Sequence, residues 1–515
     1  MTEKKDKWEN VDFDQAMEIA GYGKFSMYII FLSGLTICTS LLSSVDVSFL
    51  LPAAECDLQL TSQDKGLLSS AYFLGIIATS HLSGFIADTM GRRYILLRGL
   101  SLNVFTYILG SLSPNFWIFF TFKVLSGVMT CPCMIATFPF LGEYVPSKRR
   151  TQAMLITTSL STMALLYTSL VGWLTLSTKW SVDLGLVTFT PWRLFFLLCG
   201  FPSLCCAGLF YLTPESPKFL LTRGKKGDTI KILQTLHRFN SGKQSGHYPV
   251  KSVSADSEDR APKMQKQKGV SSLLNHIADQ TFPLFRPPYV KNLMLCIIMV
   301  SVSFLCVNSI FIWLPEVTNR MASYKSNNEG KFYLCDMMSR NMTLFFDNQT
   351  AQSEVECDGT ISSAVFIPNL LISIAQPIIM LLASVVVPLV DRRAVIVAVM
   401  VSGSAMALLI TLIADASIII ILFGTLPIFI GVSFNVITDI LIEVFPTYIR
   451  AMAVSLTMIC GRIGSITGSY LFSLLIDTQC LLLFRLISGI LLCCSCVPVF
   501  LQIKSRKSER TLNVT

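Results

Sequence analysis

The segment Glu143-Tyr-Val-Pro146-Ser-Lys-Arg-Arg150 is followed, 300 residues later, by Glu443-Val-Phe-Pro446-Thr-Tyr-Ile-Arg450. In both segments Pro comes three positions after Glu, and Arg comes four positions after Pro. Each segment lies where one long apolar run ends and the next begins. A hinge repeated between apolar runs indicates that the chain consists of two related halves.

The composition places both halves in a membrane. Of the 515 residues, 52% are hydrophobic and 14% are charged, whereas soluble proteins carry about 25% charged residues. A bilayer core of about 30 Å needs about 20 apolar residues per helix, and backbone groups in lipid must be bonded within the segment. About twelve runs qualify, at roughly 26–46, 66–87, 94–112, 115–141, 152–174, 192–212, 292–314, 361–387, 394–413, 417–441, 451–475 and 480–502. We therefore predict an all-α membrane protein with twelve transmembrane helices in two pseudo-symmetric six-helix bundles.

The distribution of charge predicts the orientation. If the N-terminus is cytosolic, most of the 41 Lys and Arg fall in cytosolic segments, as the positive-inside rule requires. The net charge of +9 then indicates orientation, and we expect no nucleic-acid partner. The expected parts are a cytosolic tail 1–24, a six-helix bundle 25–213, a cytosolic linker 214–290, a six-helix bundle 291–503 with a luminal or extracellular loop 315–360, and a cytosolic tail 504–515.

Within the linker, apolar residues at helical spacing predict a surface helix around 229–239. Residues 242–267 are rich in Ser, Lys and charge, so we expect no fixed structure there. The simplest role of the linker is to tether the two halves; a regulatory or partner-binding role is the alternative.

The outer loop 315–360 carries two glycosylation sequons, at Asn341 and Asn348. It also contains Cys335 and Cys357, which predict a disulfide on the luminal or extracellular side. Cys56 is a rival partner, so the pairing stays open.

A further motif, Gly84-Phe-Ile-Ala-Asp88-Thr-Met-Gly91-Arg92-Arg93, lies between the second and third runs. Gly84 favours close helix packing, Gly91 a tight turn, and Asp88 can pair with a cation. The matching place in the second half is Val387-Pro-Leu-Val-Asp391-Arg392-Arg393, which has lost both glycines. We interpret both as conformational latches and not as substrate sites.

These residues resemble the loop 2–3 signature of the major facilitator superfamily, although Thr89 stands where that family usually has a basic residue. Pro214-Glu215-Ser216-Pro217-Lys218 resembles the Pro-Glu-Ser-Pro-Arg segment of sugar and organic-ion transporters, with Lys in place of Arg. Within the superfamily the chain resembles the synaptic vesicle glycoprotein 2 group, at Leu51-Pro52-Ala-Ala-Glu55, Trp192-Arg193 and Trp313-Leu-Pro-Glu316. That group's luminal loop is long and built of pentapeptide repeats, whereas here loop 315–360 has 46 residues and at most one such unit, so ligand binding by that loop is not implied.

Polar and ionisable groups inside apolar runs usually face a cavity or a partner. The candidates for contact with a substrate or coupling ion are Asp46, Tyr72, Lys123, Asn308, Gln376, Asn435, Asp439 and Arg462. The alternative is structural, with Asp439 pairing with Arg462 and Glu443 with Arg450 to clamp two helices. The gating or structural candidates are Gly84, Asp88, Gly91, Arg92, Arg93, Glu143, Arg150, Glu215, Asp391, Arg392, Glu443 and Arg450.

The predicted function is secondary transport of a small organic solute, an organic ion or a sugar-like molecule, by alternating access. Coupling to a proton or ion gradient would use Asp46 or Asp439. The rival is a non-transporting membrane glycoprotein, a receptor or vesicle-trafficking partner that keeps the fold. The sequence has no nucleotide-binding, zinc-protease or hydrolase motif, so we expect no enzyme, cofactor or metal. Both termini are expected in the cytosol, the membrane is the plasma membrane or an intracellular vesicle, and a monomer is favoured.

Overall fold

We describe the protein from a computed structural model, which covers residues 11–185, 187–241, 248–254, 281–327, 332–338 and 361–501. Within these ranges the chain is mostly helical. It divides into two compact units, one of Met1–Leu50 and Leu74–Gln267 and the other of Leu51–Phe73 and Lys268–Thr515. Each unit is described by itself below.

The first unit begins with strand β1 and a short amphipathic helix, and long apolar helices follow. Its elements are β1 (Val11–Asp12), α1 (Phe13–Ala20), α2 (Lys24–Val45), α6 (Arg92–Ser111), α7 (Phe116–Tyr144), α8 (Arg150–Ser161), α9 (Met163–Leu176), β2 (Val182–Asp183), β3 (Thr188–Phe189), α10 (Pro191–Cys199), α11 (Phe201–Leu212), α12 (Pro217–Thr222), α13 (Lys226–Ser241) and β4 (Val253–Ser254). Helices α3 (Val47–Ala53) and α5 (Ser62–Met90) each contribute residues to both units.

In its described residues the second unit is built of helices. Its elements are α4 (Glu55–Leu58), α14 (Tyr289–Asn327), α15 (Leu334–Met338), α16 (Ser363–Val386), α17 (Arg392–Leu412), α18 (Ala416–Val444), α19 (Thr447–Leu475) and α20 (Cys480–Ser495). Short 3-10 turns add Ser147–Arg149 to the first unit, and Phe282–Phe285, Val387–Leu389 and Val497–Phe500 to the second.

Ten of the described helical segments are long and apolar enough to cross a membrane. They are Lys24–Ala53, Phe116–Tyr144, Ser147–Leu176, Pro191–Leu212, Tyr289–Lys325, Ser363–Ala383, Arg392–Leu412, Ala416–Leu441, Met452–Leu475 and Cys480–Phe500. The other two expected spans correspond to α5 and α6, which contain more polar and charged side chains, such as Lys65 and Arg98. Twelve spans in two bundles therefore stay a prediction.

The start of the chain is packed onto the linker. We call residues Val11–Ala20 the N-terminal clasp; its Val11, Phe13 and Met17 are buried in one cluster with Leu233 and Leu236 of α13. Strand β1 pairs in parallel with β4, so the clasp is held by backbone bonds as well. The surface helix predicted around 229–239 is confirmed as α13.

The expectation that residues 242–267 have no fixed structure is wrong for 248–254. Tyr248, Val250 and Val253 are buried against the clasp. The Tyr248 hydroxyl donates a hydrogen bond to the Ala16 carbonyl at 2.8 Å, and burial raises the pKa of Tyr248. The average hydropathy of 242–267 is low, but the stretch contains a few apolar residues. These few side chains are enough to bury one side of 248–254 against the clasp.

In the second unit α14 packs closely along α19, because α19 carries glycines at Gly461, Gly464 and Gly468. A Cβ atom at Gly461 would come within 3.0 Å of the Val300 side chain, and one at Gly464 would meet the backbone of Ser301. The contact at Gly464 leaves no room for a side chain, and the one at Gly461 would be tight. These glycines therefore give α19 a small-residue face for helix packing.

Candidate functional site

A buried ion pair lies inside the first unit. The Lys123 ammonium is 2.6 Å from an oxygen of the Asp46 carboxylate, and both side chains are fully buried. The second oxygen of Asp46 accepts a hydrogen bond from the Tyr107 hydroxyl at 2.9 Å, and the Lys123 ammonium also donates to the Ser43 carbonyl at 2.8 Å. Asp46 and Lys123 are both candidates from the sequence, and the structure brings the two together.

Neutral polar side chains extend this pair across four helices. The Asn103 amide donates to the Ser43 and Ser203 hydroxyls at 3.4 and 3.1 Å and accepts from Ser126 at 2.7 Å. Sequence analysis missed Tyr107 and Asn103, although both are polar groups near the middle of an apolar run. Their contacts satisfy the charges of the pair inside the protein, so the network can hold α2, α6, α7 and α11 together.

A second set of candidates lies in the second unit, on α14, α16, α18 and α19. The Asn308 amide donates to the Ser465 hydroxyl at 2.7 Å. The Asn435 amide is exposed and contacts the Met380 sulfur at 3.7 Å. The side-chain oxygen of Gln376 is buried and has no hydrogen-bond partner among the described residues. A buried amide oxygen costs about 1–3 kcal/mol unless water or another polar group binds it.

The candidates Arg462, Asp439 and Tyr72 belong to the same unit as these amides. The Arg462 guanidinium stands over two aromatic rings, 5.0 Å from the Phe304 ring centre and 5.6 Å from that of Phe73. Asp439 follows Asn435 by one turn of α18, and both side chains are exposed. Tyr72 is buried with its ring edge against Phe73, 5.8 Å between centres. Asp439, Arg462 and Tyr72 therefore share the unit with Gln376.

The repeated motifs form ion pairs, with partners that differ from the predicted ones. In the first unit Glu143 is 3.3 Å from Arg92, while Arg150 is 3.3 Å from Asp14 of the N-terminal clasp. In the second unit Glu443 is paired with Arg392. Arg450 instead donates to the Phe445 carbonyl at 3.2 Å. The predicted pairing of Glu443 with Arg450 is therefore wrong, because the Glu443 carboxylate is bound by Arg392 at the start of α17.

The residues next to Arg92 and Arg392 anchor helix ends. Arg93 donates to the carbonyls of Phe210 and Tyr211 at 3.1 and 2.8 Å, and its backbone N–H donates to the Glu215 carboxylate at 2.9 Å. Arg393 donates to the Leu501 carbonyl at 2.7 Å. Arg93 thus binds the end of α11, and Arg393 binds the end of the 3-10 turn that follows α20.

Gly84 and Gly91 of the first motif differ in whether a larger residue could stand at the same position. Gly91 has a φ of +101°, and a Cβ there would meet the Glu215 carboxylate at 2.7 Å, so both the turn and the contact require glycine. At Gly84, by contrast, a Cβ would meet no described atom within 4 Å. The described residues thus show no close contact at Gly84, and its role in helix packing stays a prediction. Asp391 caps α17 by accepting from the Arg393 N–H at 3.4 Å, whereas the side chain of Asp88 lies outside the part of the chain that the structure describes.

A charge network that the sequence did not predict ties several segments of the second unit. We call Glu55, Lys65, Glu316, Arg320 and Asp477 the outer network. The Lys65 ammonium lies 2.8 Å from Glu55 and 2.7 Å from Glu316, and its side chain is only 1% exposed. Arg320 lies 2.8 Å from Glu316 and 2.5 Å from Asp477. Its sequence signal was present, since Leu51-Pro52-Ala-Ala-Glu55 and Leu314-Pro315-Glu316 end two apolar runs with the same residue types.

One disulfide joins Cys335 to Cys480, with their Cα atoms 5.4 Å apart. The predicted pairing of Cys335 with Cys357 or Cys56 is therefore wrong. Cys480 was overlooked because it opens an apolar run and reads as a small hydrophobe. Cys56 is also disulfide-bonded. Asn341, Asn348 and Cys357 lie outside the described residues.

Among the described residues no group of three or more His, Cys, Asp or Glu side chains could hold a metal ion. The candidate site is therefore built from amide, carboxylate, guanidinium and aromatic groups.

Comparison with known proteins agrees with this description. The sequence model of the Major Facilitator Superfamily matches residues 32–329. Synaptic vesicle glycoprotein 2A of Rattus norvegicus is 29% identical over 237 residues, covering 46% of this chain and 32% of that protein. Synaptic vesicle glycoprotein 2B of Homo sapiens is 24% identical over 321 residues, covering 59% of this chain and 47% of that protein. The matches thus span a third to a half of the length of these relatives.

Solved structures show the same fold. The xylose transporter XylE from E. coli, in a partially occluded inward-open conformation, superposes with a TM-score of 0.63 and 13% identity, covering 93% of this chain and 100% of that chain. The nucleoside transporter NupG, crystallised as a point mutant, superposes with a TM-score of 0.59 and 12% identity, covering 93% of this chain and 100% of that chain. At this identity the likeness establishes the fold alone.

Proposed function

Because the chain belongs to the Major Facilitator Superfamily, whose model matches more than half of its length, we propose that it is a secondary transporter of a small organic solute. The solute carries hydrogen-bonding groups and crosses by alternating access of two six-helix bundles. The observation that carries the proposal is the side-chain oxygen of Gln376 in the second unit, which has no partner among the described residues. A buried acceptor without a donor costs free energy, and a solute hydroxyl or amine would remove that cost.

The solute site is formed by Gln376 together with Asn435, Asp439 and Arg462. Asn435 and Asp439 are exposed on one face of α18, in a helix apolar enough to span the membrane. A carboxylate that faced lipid would be costly, so this face lines an aqueous cavity. The Arg462 guanidinium lies over the rings of Phe304 and Phe73, which hold its positive charge in this part of the unit. Both an organic ion and a sugar-like molecule are compatible with this mixture of groups.

Coupling to an ion gradient uses Asp439 and not Asp46. Asp46 is fully buried, and Lys123 and Tyr107 bind its two oxygens. A proton or cation could reach it only after those bonds break. Asp439 is exposed, so it can exchange a proton with the cavity. The Asp46–Lys123 pair then holds helices of the first unit in place.

Alternating access is supported by the repeated ion pairs. Arg92 with Glu143 and Arg392 with Glu443 hold corresponding segments in the two units. We assign them to the cytosolic gate, and we assign the outer network to the opposite gate. The outer network joins the start of α5 to α14 and to the end of α19, so it would have to break when a path opens on that side.

The proposal is tested by a thermal-shift screen of the purified protein against organic cations, organic anions, sugars and nucleosides. A solute that binds the folded state raises the melting temperature. The first solute that does so is then used for uptake into proteoliposomes. Gln376→Ala is expected to weaken both the thermal shift and the uptake, with a rise of about tenfold in the half-saturating concentration, which corresponds to the loss of about 1.4 kcal/mol of binding free energy.

The matched control on the same helix is Asn369→Ala. Asn369 is buried and its amide donates to the Val365 carbonyl at 2.7 Å, so its loss lowers stability but leaves the half-saturating concentration unchanged.

Two further variants test coupling to an ion gradient. Asp439→Asn is expected to abolish the dependence of uptake on an imposed pH gradient, whereas folded Asp46→Asn retains it. If no solute class shifts the melting temperature, the rival reading as a non-transporting membrane glycoprotein replaces this one.

A further inference from the structure

Two cysteines at the end of the last helix face outward. Cys493 and Cys496 are exposed, while Cys494, between them in sequence, is buried. Of the other free cysteines in the described part of the chain, all are buried except Cys205 and Cys460, which are half-buried. Cys493 lies in the last turn of α20, and Cys496, three positions later, is the helical-conformation residue that caps it, so the two side chains fall on the same side.

The same face continues in apolar side chains that are largely uncovered. Leu492, Val499 and Phe500 are 53%, 67% and 60% exposed. They belong to the segment Cys480–Phe500, which is long and apolar enough to cross the membrane. Exposed apolar side chains on a membrane span face lipid. The thiols of Cys493 and Cys496 therefore point toward the hydrocarbon phase.

The depth of the two thiols follows from the two ends of the span. Cys480, at the first end, is joined to Cys335 by a disulfide, and disulfides persist on the luminal or extracellular side. The chain from Cys480 to Leu501 extends roughly 30 Å at a helical rise of about 1.5 Å per residue, which is one bilayer core. Leu501 is therefore at the cytosolic surface, where its carbonyl accepts a hydrogen bond from Arg393.

Cys496 and Cys493 then lie about 7 and 12 Å from that surface, by the same helical rise. Cysteines near the cytosolic end of a span meet both requirements of S-acylation, a reduced thiol and access to a membrane-bound acyl donor. The sequence after Leu501 adds Lys504, Arg506 and Lys507, which are attracted to anionic cytosolic lipids.

We propose that Cys493 and Cys496 are S-acylation sites that take a long-chain fatty acyl group from an acyl thioester. The cysteine sulfur attacks the acyl carbonyl and a new S–C bond forms. The S–C bond of the donor breaks, and the cysteine proton leaves with the departing thiol, so no oxidant or reductant is needed. The attached chain would lie along the exposed face of Leu492 and Leu486.

The test is acyl exchange on full-length protein isolated from cells. Free thiols are blocked with a maleimide, thioesters are cleaved with hydroxylamine, and the released thiols are labelled with a polyethylene-glycol maleimide that shifts the band on a gel. Wild type is expected to show two hydroxylamine-dependent steps in mass. Cys493→Ser and Cys496→Ser each lose one step, and the double variant loses both.

Cys494→Ser is the matched control, because it removes a neighbouring thiol from a buried position on the same helix turn. It is expected to keep both steps. Size-exclusion profiles of every variant establish that the protein is folded. The proposal is overturned if wild-type protein shows no hydroxylamine-dependent step in mass. It is also overturned if the folded Cys493→Ser/Cys496→Ser variant keeps both steps. Loss of the steps in folded Cys494→Ser would also contradict the assignment to the exposed face.

Discussion

Arg92 and Glu143 form an ion pair in the first unit, with 3.3 Å between guanidinium and carboxylate, and they stand 51 residues apart in the chain (143 − 92). Arg392 and Glu443 form an ion pair in the second unit at the same separation of 51 residues. The two pairs are related by a shift of 300 residues, which is the shift between the repeated Glu-Pro-Arg segments. The repeat in the sequence is thus also a repeat of contacts.

The two pairs differ in exposure, and this predicts unequal effects of neutralising the acid. The Glu143 side chain is 11% exposed and that of Glu443 is 39% exposed, so water screens the second pair more. Glu443→Gln should lower the free energy of unfolding by about 0–1 kcal/mol, as for surface pairs. Glu143→Gln should cost more, because the Glu143 carboxylate is less exposed to water and its attraction to Arg92 is less screened. Thermal unfolding in detergent measures both. Equal losses of stability in the two variants would contradict the expected difference between the pairs. The charge swap Arg392→Glu/Glu443→Arg should be more stable than either single change.

Lys65 predicts a larger effect in the outer network. It is the common partner of Glu55 and Glu316, and both Lys65 and Glu316 are almost completely buried. Lys65→Ala should lower the free energy of unfolding by about 1.5–3 kcal/mol, the usual contribution of a hydrogen bond to a charged group, because Glu316 keeps Arg320 as a second partner. Lys231→Ala is the control, because that side chain is 78% exposed and its contact with Asp228 is 3.6 Å long. A loss at Lys65 no greater than at Lys231 would show that the network does not hold the second unit together.

The Asp46–Lys123 pair is expected to behave as one element. Asp46→Asn and Lys123→Met should each destabilise the protein by about 3–5 kcal/mol, since each leaves one buried charge behind. The double variant should lose clearly less than the sum, because both charges are then gone. Unfolding of the four proteins in a double-mutant cycle measures this interaction. Additive losses would mean that the two side chains do not stabilise each other.

The sequence predicted the membrane helices better than it predicted the ion pairs. Apolar runs predicted the membrane helices, since span length and hydropathy are properties of single segments. The repeated Glu and Arg residues predicted charge contacts, but the sequence favoured Arg450 over Arg392 because sequence proximity was the only guide. The role of Lys65 was missed, since nothing along the chain shows that Glu316 lies 2.7 Å away. Long-range partners such as Cys480 depend on how helices pack, and single-segment patterns carry no information about that.

The disulfide gives a direct chemical prediction. Trypsin cleaves after Lys331 and Arg340 and after Arg462 and Arg485, so residues 332–340 and 463–485 are released as peptides with one cysteine each. Without reduction these two peptides should be found linked through Cys335 and Cys480 by mass spectrometry. After reduction they should separate. In Cys480→Ser, which is the control, the peptide with Cys335 should be unlinked or joined elsewhere. A wild-type digest in which Cys335 is linked only to another cysteine would contradict the structure.

The N-terminal clasp predicts a coupling between the start of the chain and the linker. Met17 is 2% exposed and belongs to the same buried cluster as Leu233. Met17→Asp would place a carboxylate in that cluster without a partner, so the clasp should detach while the membrane helices stay folded. Limited proteolysis should then cut the linker near Lys251 faster than in wild type. Glu18→Ala is the control on the same helix, because Glu18 makes an exposed pair with Lys148 at 3.1 Å and should leave the rate of cutting unchanged. Equal rates in Met17→Asp and wild type would mean that the clasp does not protect the linker.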